Sequence, residues 1–166
     1  MTTQRRFAAI VFGILLVGVL VASAVLYAVD GYPWTRRVLF YPRFGTIQLG
    51  GEERYLPKRA TLEENIELFL KELVLGPIEH GHLRLFPPEV RIESVLSRDR
   101  ILYVNLSEDA LFKEGSVPLN VDEMVQAAGN NVLFNFRNLK EVYIFVDGQI
   151  PANVAEPLQY SHRTVR

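Results

Sequence analysis

The sequence predicts an α+β domain, a small mixed sheet with two helices packed on one face, preceded by one transmembrane helix. Three observations carry that prediction. The run from Phe7 to Val29 is apolar and free of charge; two amphipathic stretches open on helix caps at Thr61 and Asn120; and three short stretches, Val90–Leu96, Ile101–Leu106 and Glu141–Asp147, alternate apolar with polar residues.

The elements follow in chain order. Phe7–Val29 is about 23 residues, which as a helix reaches roughly 34 Å, slightly more than a hydrocarbon core of ~30 Å. Arg5 and Arg6 precede it, and positive charge at that flank favours a cytoplasmic N-terminus. A cleaved secretory signal with Ala22-Ser23-Ala24 as its small-residue site is the competing reading; the apolar character continuing through Val25, Leu26, Tyr27 and Val29 favours an anchor. Both readings export the rest of the chain. With no cysteine to acylate, a lipid-anchored precursor is not expected. Gly18 and Ala22 form a small-xxx-small pair, taken as ordinary membrane-helix composition. Asp30-Gly31-Tyr32-Pro33 is expected to stop the helix, with Tyr32 and Trp34 at the level of an interfacial aromatic belt.

Arg37–Tyr41 suits a strand closed by Pro42, and a second extended piece near Thr46–Leu49 is expected to turn at Gly50-Gly51 before Glu53–Pro57 extends again. Thr61-x-x-Glu64 is a capping box for a helix whose apolar stripe is Leu62, Ile66, Phe69, Leu70, Leu73 and Val74, and Gly76-Pro77 ends it. After the proline loop Phe86-Pro87-Pro88, Val90–Leu96 and Ile101–Leu106 are expected to form a hairpin about Arg98-Asp99-Arg100. Leu111 and Phe112, in the loop that follows, are expected to tuck into the core. Asn120-x-x-Glu123 caps a second helix, with Val121, Met124, Val125, Ala128, Val132 and Phe136 on one stripe. Glu141–Asp147 is the last strand, and beyond Pro151 no period is evident. The domain organisation is therefore 1–6 cytoplasmic N-terminus, 7–29 transmembrane helix, 30–36 juxtamembrane linker, 37–151 the α+β domain with an α-β-β-α-β core after its N-terminal strands, and 152–166 tail.

The net charge is −1, with acids and bases interspersed, so no broad footprint for nucleic acid is expected. The basic end, His162 to Arg166, reads as a solvated tail. Absence of cysteine excludes disulfides and thiolate chemistry. Glu79, His80 and His82 are the one cluster with metal-ligand chemistry, but no third histidine lies near, and a solvated loop is the favoured reading. Asp122 and Glu123 suit the positive end of a helix dipole. No nucleophile elbow and no phosphate-binding loop occur. No catalytic, cofactor-binding or metal residue is assigned. Alternation places Tyr103, Tyr143 and Phe145 on the sheet face away from the helices, and this aromatic face is the candidate partner surface unless the N-terminal strands or the tail cover it. Asn105 and Asp147, at strand ends beside the tyrosines, read as turn caps more readily than as sugar ligands.

The succession Val38-Leu39-Phe40-Tyr41-Pro42, Leu73-Val74-Leu75-Gly76-Pro77, the proline loop, Leu102 to Ser107 and Val142 to Gly148 resembles the GerMN domain of sporulation and germination proteins, over roughly Val38–Pro151. The resemblance implies an exported, membrane-tethered module, similar to the ring-building modules of envelope assemblies, that associates with proteins and is not an enzyme. Two departures stand out: Pro88-Glu89 stands where a glycine is usual, and the second helix carries Gly129-Asn130-Asn131, three residues that each cost a few tenths to about 1 kcal/mol of helix propensity. The expected function is that of a membrane-anchored, extracytoplasmic binding or assembly module of the bacterial cell envelope. It would sit in the cytoplasmic membrane as a single-pass protein, partnered by an envelope protein or a second copy, without cofactor or nucleic acid. A peptidoglycan- or glycan-binding module is the alternative, and a metal-dependent hydrolase through His80 and His82 the third reading.

Overall fold

A computed structural model describes residues 2–30, 33–46, 48–112, 117–151 and 158–159. The chain divides into two compact units, residues 1–33 and 34–166. The first is one helix, α1 (Thr2–Asp30), whose stretch Ile10–Ala28 has mean hydropathy 2.7 and none of its surface buried. It is long and apolar enough to cross a membrane and is a candidate membrane anchor. Asp30 is its last helical residue; Gly31 and Tyr32, and with them the expected turn and the Tyr32 belt position, lie outside the described residues.

The second unit holds two sheets. β1 (Trp34–Pro42) and β2 (Leu49–Pro57) form an antiparallel hairpin, Trp34 opposite Pro57 and Pro42 opposite Leu49. β1 starts at Trp34, so the strand reaches back into the stretch that the sequence assigned to a linker. The turn also moves: it begins after Arg43, whose N–H meets the Gln48 carbonyl at 3.1 Å, Ile47 lies outside the described residues, and Gly50-Gly51 lie within β2. These glycines make room. A Cβ on Gly50 would sit 2.1 Å from the His82 imidazole, and one on Gly51 would press on Val38 and Phe40.

The larger sheet has the order β3 (Ile92–Arg98), β4 (Ile101–Leu106), β5 (Glu141–Val146), β6 (Leu158–Gln159). It is mixed, since β4 and β5 run parallel while β3 and β6 are antiparallel to their neighbours. A parallel pair needs a crossover, which α3 (Val121–Asn135) supplies. α2 (Leu62–Leu75) packs on β3 and α3 on β5, so both helices cover one face, with Phe69 and Phe136 meeting edge to face at 5.6 Å. Both capping boxes form as the sequence predicts, Thr61 with Glu64 and Asn120 with Glu123. Leu102, Val104, Leu106, Val142, Ile144 and Val146 are buried, as alternation requires.

Three local expectations fail for identifiable reasons. β3 begins two residues later than expected, because Val90 closes the proline loop with its N–H on the Pro87 carbonyl, and a bulge between Ile92 and Ser94 breaks the alternation. Leu111 and Phe112 do not tuck in; they are exposed, and the single 3₁₀ turn over Glu108–Leu111 sends Ala110 into the core instead, joined by Val117. β6 arises in a stretch without apolar period, because pairing with β5, Leu158 opposite Val142 and Gln159 opposite Glu141, defines it.

The hairpin is attached to the helices by two asparagine side chains. Asn131 accepts the Phe40 N–H at 2.7 Å and donates to the Phe40 carbonyl at 3.1 Å; Asn135 does the same for Val38, at 2.9 and 2.7 Å. The geometry is a length match: four residues of helix rise about 6 Å and two residues of strand about 6.6 Å, so side-chain amides at i and i+4 meet alternate strand residues. The amides do what a neighbouring strand would do. The helix-poor Asn131 is thus explained. Arg37 reinforces the junction, donating to the Asn135 carbonyl with its guanidinium 4.2 Å from the Phe136 ring centroid.

Asn131→Ala leaves the Phe40 backbone groups unpaired and is expected to lower stability by about 2 kcal/mol, each unsatisfied buried group costing ~1–3 against a helix-propensity gain below ~1. Asn130→Ala, at an exposed neighbouring position, should shift it by less than ~0.5 kcal/mol. Thermal unfolding of the full chain in detergent, followed by near-ultraviolet dichroism, distinguishes the two.

Candidate functional site

The sheet face away from the helices carries the aromatic residues that the sequence singles out. β4 and β5 run in register, so Tyr103 stands opposite Tyr143 and Asn105 opposite Phe145. The tyrosine rings are stacked, centroids 5.4 Å apart and planes 12° from parallel. Both tyrosines and Phe145 are half-buried. Sequence reasoning missed a fourth member, Leu96, which faces Tyr103 across β3 and is 61% exposed. The bulge hid it: strict alternation from Val90 assigns Leu96 to the other face, and only the restarted period after Ser94 places it here.

Burial against its neighbours and then the Glu141 carboxylate push the Tyr143 hydroxyl above its usual value. Asn105 is occupied: its amide donates to Glu93 at 2.7 Å and its oxygen accepts the Gly148 N–H at 2.9 Å. That holds the left-handed turn Asp147-Gly148, where φ is 49° and 72°. Asn105 therefore serves the turn, as expected of a strand-end residue.

The histidine loop is structural in its described contacts. His80 is exposed, whereas the His82 side chain is 7% exposed and fills the space beside Gly50, its Nδ1 3.8 Å from a Glu79 carboxylate oxygen. Among the described residues no three His, Asp or Glu side chains converge on a metal position. The loop is held instead by a buried carboxylate. Glu52 accepts the N–H groups of Ile78 and Glu79 at 2.9 and 3.1 Å and pairs with Arg54 at 2.6 Å. Arg54 continues to the Glu72 carboxylate at 2.9 Å and the Gly76 carbonyl at 2.7 Å, closing the end of α2. Tyr41 donates to the Glu72 carbonyl at 3.1 Å, and burial raises its hydroxyl well above the ordinary range. Sequence patterning gives no sign of this network, because Glu52 and Arg54 look like ordinary solvated strand residues.

Comparison with known proteins places the chain. A family model described as Germane, sporulation and spore germination, matches residues 39–150. Among solved structures, the first GerMN domain of the sporulation protein GerM from Bacillus subtilis is 16% identical with a TM-score of 0.56, covering 76% of this chain and 94% of that one. The tandem GerMN domains of the same protein give 13% identity and a TM-score of 0.54; the match covers 77% of this chain and 46% of that longer one. At these identities the likeness is one of fold. The curated proteins give no match.

Burial alone would raise the Glu52 carboxyl, but the Glu79 N–H, Arg54 and the Ile78 N–H outweigh it and hold it below its ordinary value of 4.5. Unfolding therefore takes up a proton below that pH. The contribution of Glu52 is complete above 4.5 and is lost as the pH falls through the folded-state value. Glu52→Gln is expected to cost about 2 kcal/mol at neutral pH, the scale of hydrogen bonds to a charged group, and to flatten the acid limb. Unfolding midpoints between pH 7 and pH 3 (roughly spanning that limb) measure both effects.

Proposed function

The chain belongs to the Germane family of sporulation and spore germination domains, and on that premise we propose that it is a membrane-anchored module of the bacterial envelope that works by binding protein. In this reading α1 stays in the cytoplasmic membrane with residues 1–6 on the cytoplasmic side, and residues 37–151 form the GerMN domain outside it. The surface that binds is the face of Tyr103, Tyr143 and Phe145, joined by Leu96, and the occupant is another envelope protein or a second copy of the chain. The protein acts by association, without catalysis.

The observation that carries the reading is the row Leu96–Tyr103–Tyr143, an apolar line across three strands on the face that neither helix covers. Aromatic and aliphatic side chains in such a row supply buried area on association. The same geometry favours protein over glycan: sugars stack on open ring faces, and these two rings turn one face of each toward the other.

A photoreactive residue at Tyr103 of the full-length protein in cells is expected to give discrete adducts that Tyr143→Asp weakens; the same group at the exposed Lys71 of α2 should give none of them. Identical adduct patterns at the two positions, or none at either, count against the reading. Retention on insoluble peptidoglycan that depends on Tyr103 selects the glycan alternative.

A further inference from the structure

Along the sequence the charges look mixed, but the fold sorts them. Trp34 opposite Pro57 opens the hairpin at one end of the domain. Four links show what else lies at that end. Arg37 donates to the Asn135 carbonyl and so brings the start of β1 to the end of α3. Ser97 donates to the Glu63 carboxylate, which joins the end of β3 to the start of α2. The Lys140 N–H meets the Arg100 carbonyl at 2.8 Å, and Arg100 donates to the Asn138 carbonyl at 2.6 Å, which join the β3–β4 turn to the α3–β5 link.

That end therefore presents Lys58, Arg59, Arg98, Arg100, Arg137 and Lys140, all exposed. Four acids share it, Glu63 bonded by Ser97, Glu64 bonded by the N–H groups of Ala60 and Thr61, Asp99 beside Arg98, and Glu141 beside Tyr143, so the six cations outnumber these acids by two. The opposite ends of the strands and helices carry Glu89, Glu108, Asp109, Asp122, Glu123 and Asp147, against Arg43, Arg84 and Arg91. One end is basic and the other acidic.

The basic end is also where the candidate anchor attaches. Residues 31–33 join Asp30 to Trp34, a link whose full extension is about 14 Å. Trp34 and Tyr55, 66% and 62% exposed, lie on this end of the hairpin and are the side chains that favour a membrane–water interface. Resting on the reading of α1 as an anchor, we propose that the basic end binds anionic lipid headgroups. A tether of this length lets the basic end reach a charged headgroup layer, whose field extends about a Debye length of ~10 Å at 0.1 M salt.

The chain suits a direct test, because it has no cysteine. Full-length protein is labelled through Ala60→Cys, at the basic end, or Glu89→Cys, at the acidic end, and reconstituted in vesicles carrying a headgroup quencher. In vesicles containing phosphatidylglycerol, severalfold stronger quenching is expected at position 60 than at position 89. The contrast should shrink in phosphatidylcholine, in 1 M salt, where the Debye length falls to ~3 Å, and on Arg98→Glu with Arg137→Glu. Dichroism checks that these surface variants remain folded. Chain retained after an alkaline wash, yet quenched equally at both positions or indifferently to lipid charge, overturns this proposal alone. Chain removed by the wash overturns the anchor reading and this proposal with it.

Discussion

The fold depends on two primary amides doing the work of a strand. The hairpin and the four-stranded sheet are separate, and α3 joins them: its apolar stripe packs on β5 while Asn131 and Asn135 bond the outer edge of β1. Hydrophobic burial alone would hold the hairpin against the helices without fixing where it sits. The amides fix it, because Val38 and Phe40 can meet them in one register only, and a one-residue slip would turn Leu39 and Tyr41 out of the core.

The same hairpin carries an ionic interior. On its inward face Glu52 stands opposite Leu39, Gly50 opposite Tyr41 and Arg54 opposite Arg37, so buried charges share that face with Leu39, Tyr41 and Leu56. That is tolerable because each charge is matched: Glu52 by Arg54 and two backbone N–H groups, Arg54 by Glu72 and the Gly76 carbonyl. A buried pair of this kind adds little net stability over an apolar substitute but penalises any arrangement that separates its members. Here it dictates how the end of α2 and the loop to His82 meet β2. The histidines in that loop are consequences of packing, and Gly50 is the vacancy that one of them fills.

The secondary structure was legible wherever local chemistry decides it. Thr61 with Glu64 and Asn120 with Glu123 marked both helices, and the alternation in Ile101–Leu106 and Val142–Val146 marked the paired central strands together with the aromatic face they expose. Legibility failed where a distant partner decides. Gly50-Gly51 read as a turn because their role depends on His82, Arg43, Val38 and Phe40. Leu96 was misassigned because a bulge is a property of pairing. Asn131 read as a flaw in its helix, since the strand that explains it lies 91 residues earlier. The charge distribution was invisible for the same reason: residues far apart in sequence become neighbours only after the crossover folds.

The asparagine attachment also sets an order of events in biosynthesis. Val38 and Asn135 are 97 residues apart, so β1 and β2 leave the ribosome long before α3 exists. At ~5–20 residues per second that interval is about 5–20 s. Throughout it the newborn hairpin carries an unoccupied row of N–H and C=O groups, the feature that recruits stray strands from other nascent chains. The gap closes only when the last third of the polypeptide arrives, so the crowding a cell imposes on this protein acts before it is finished.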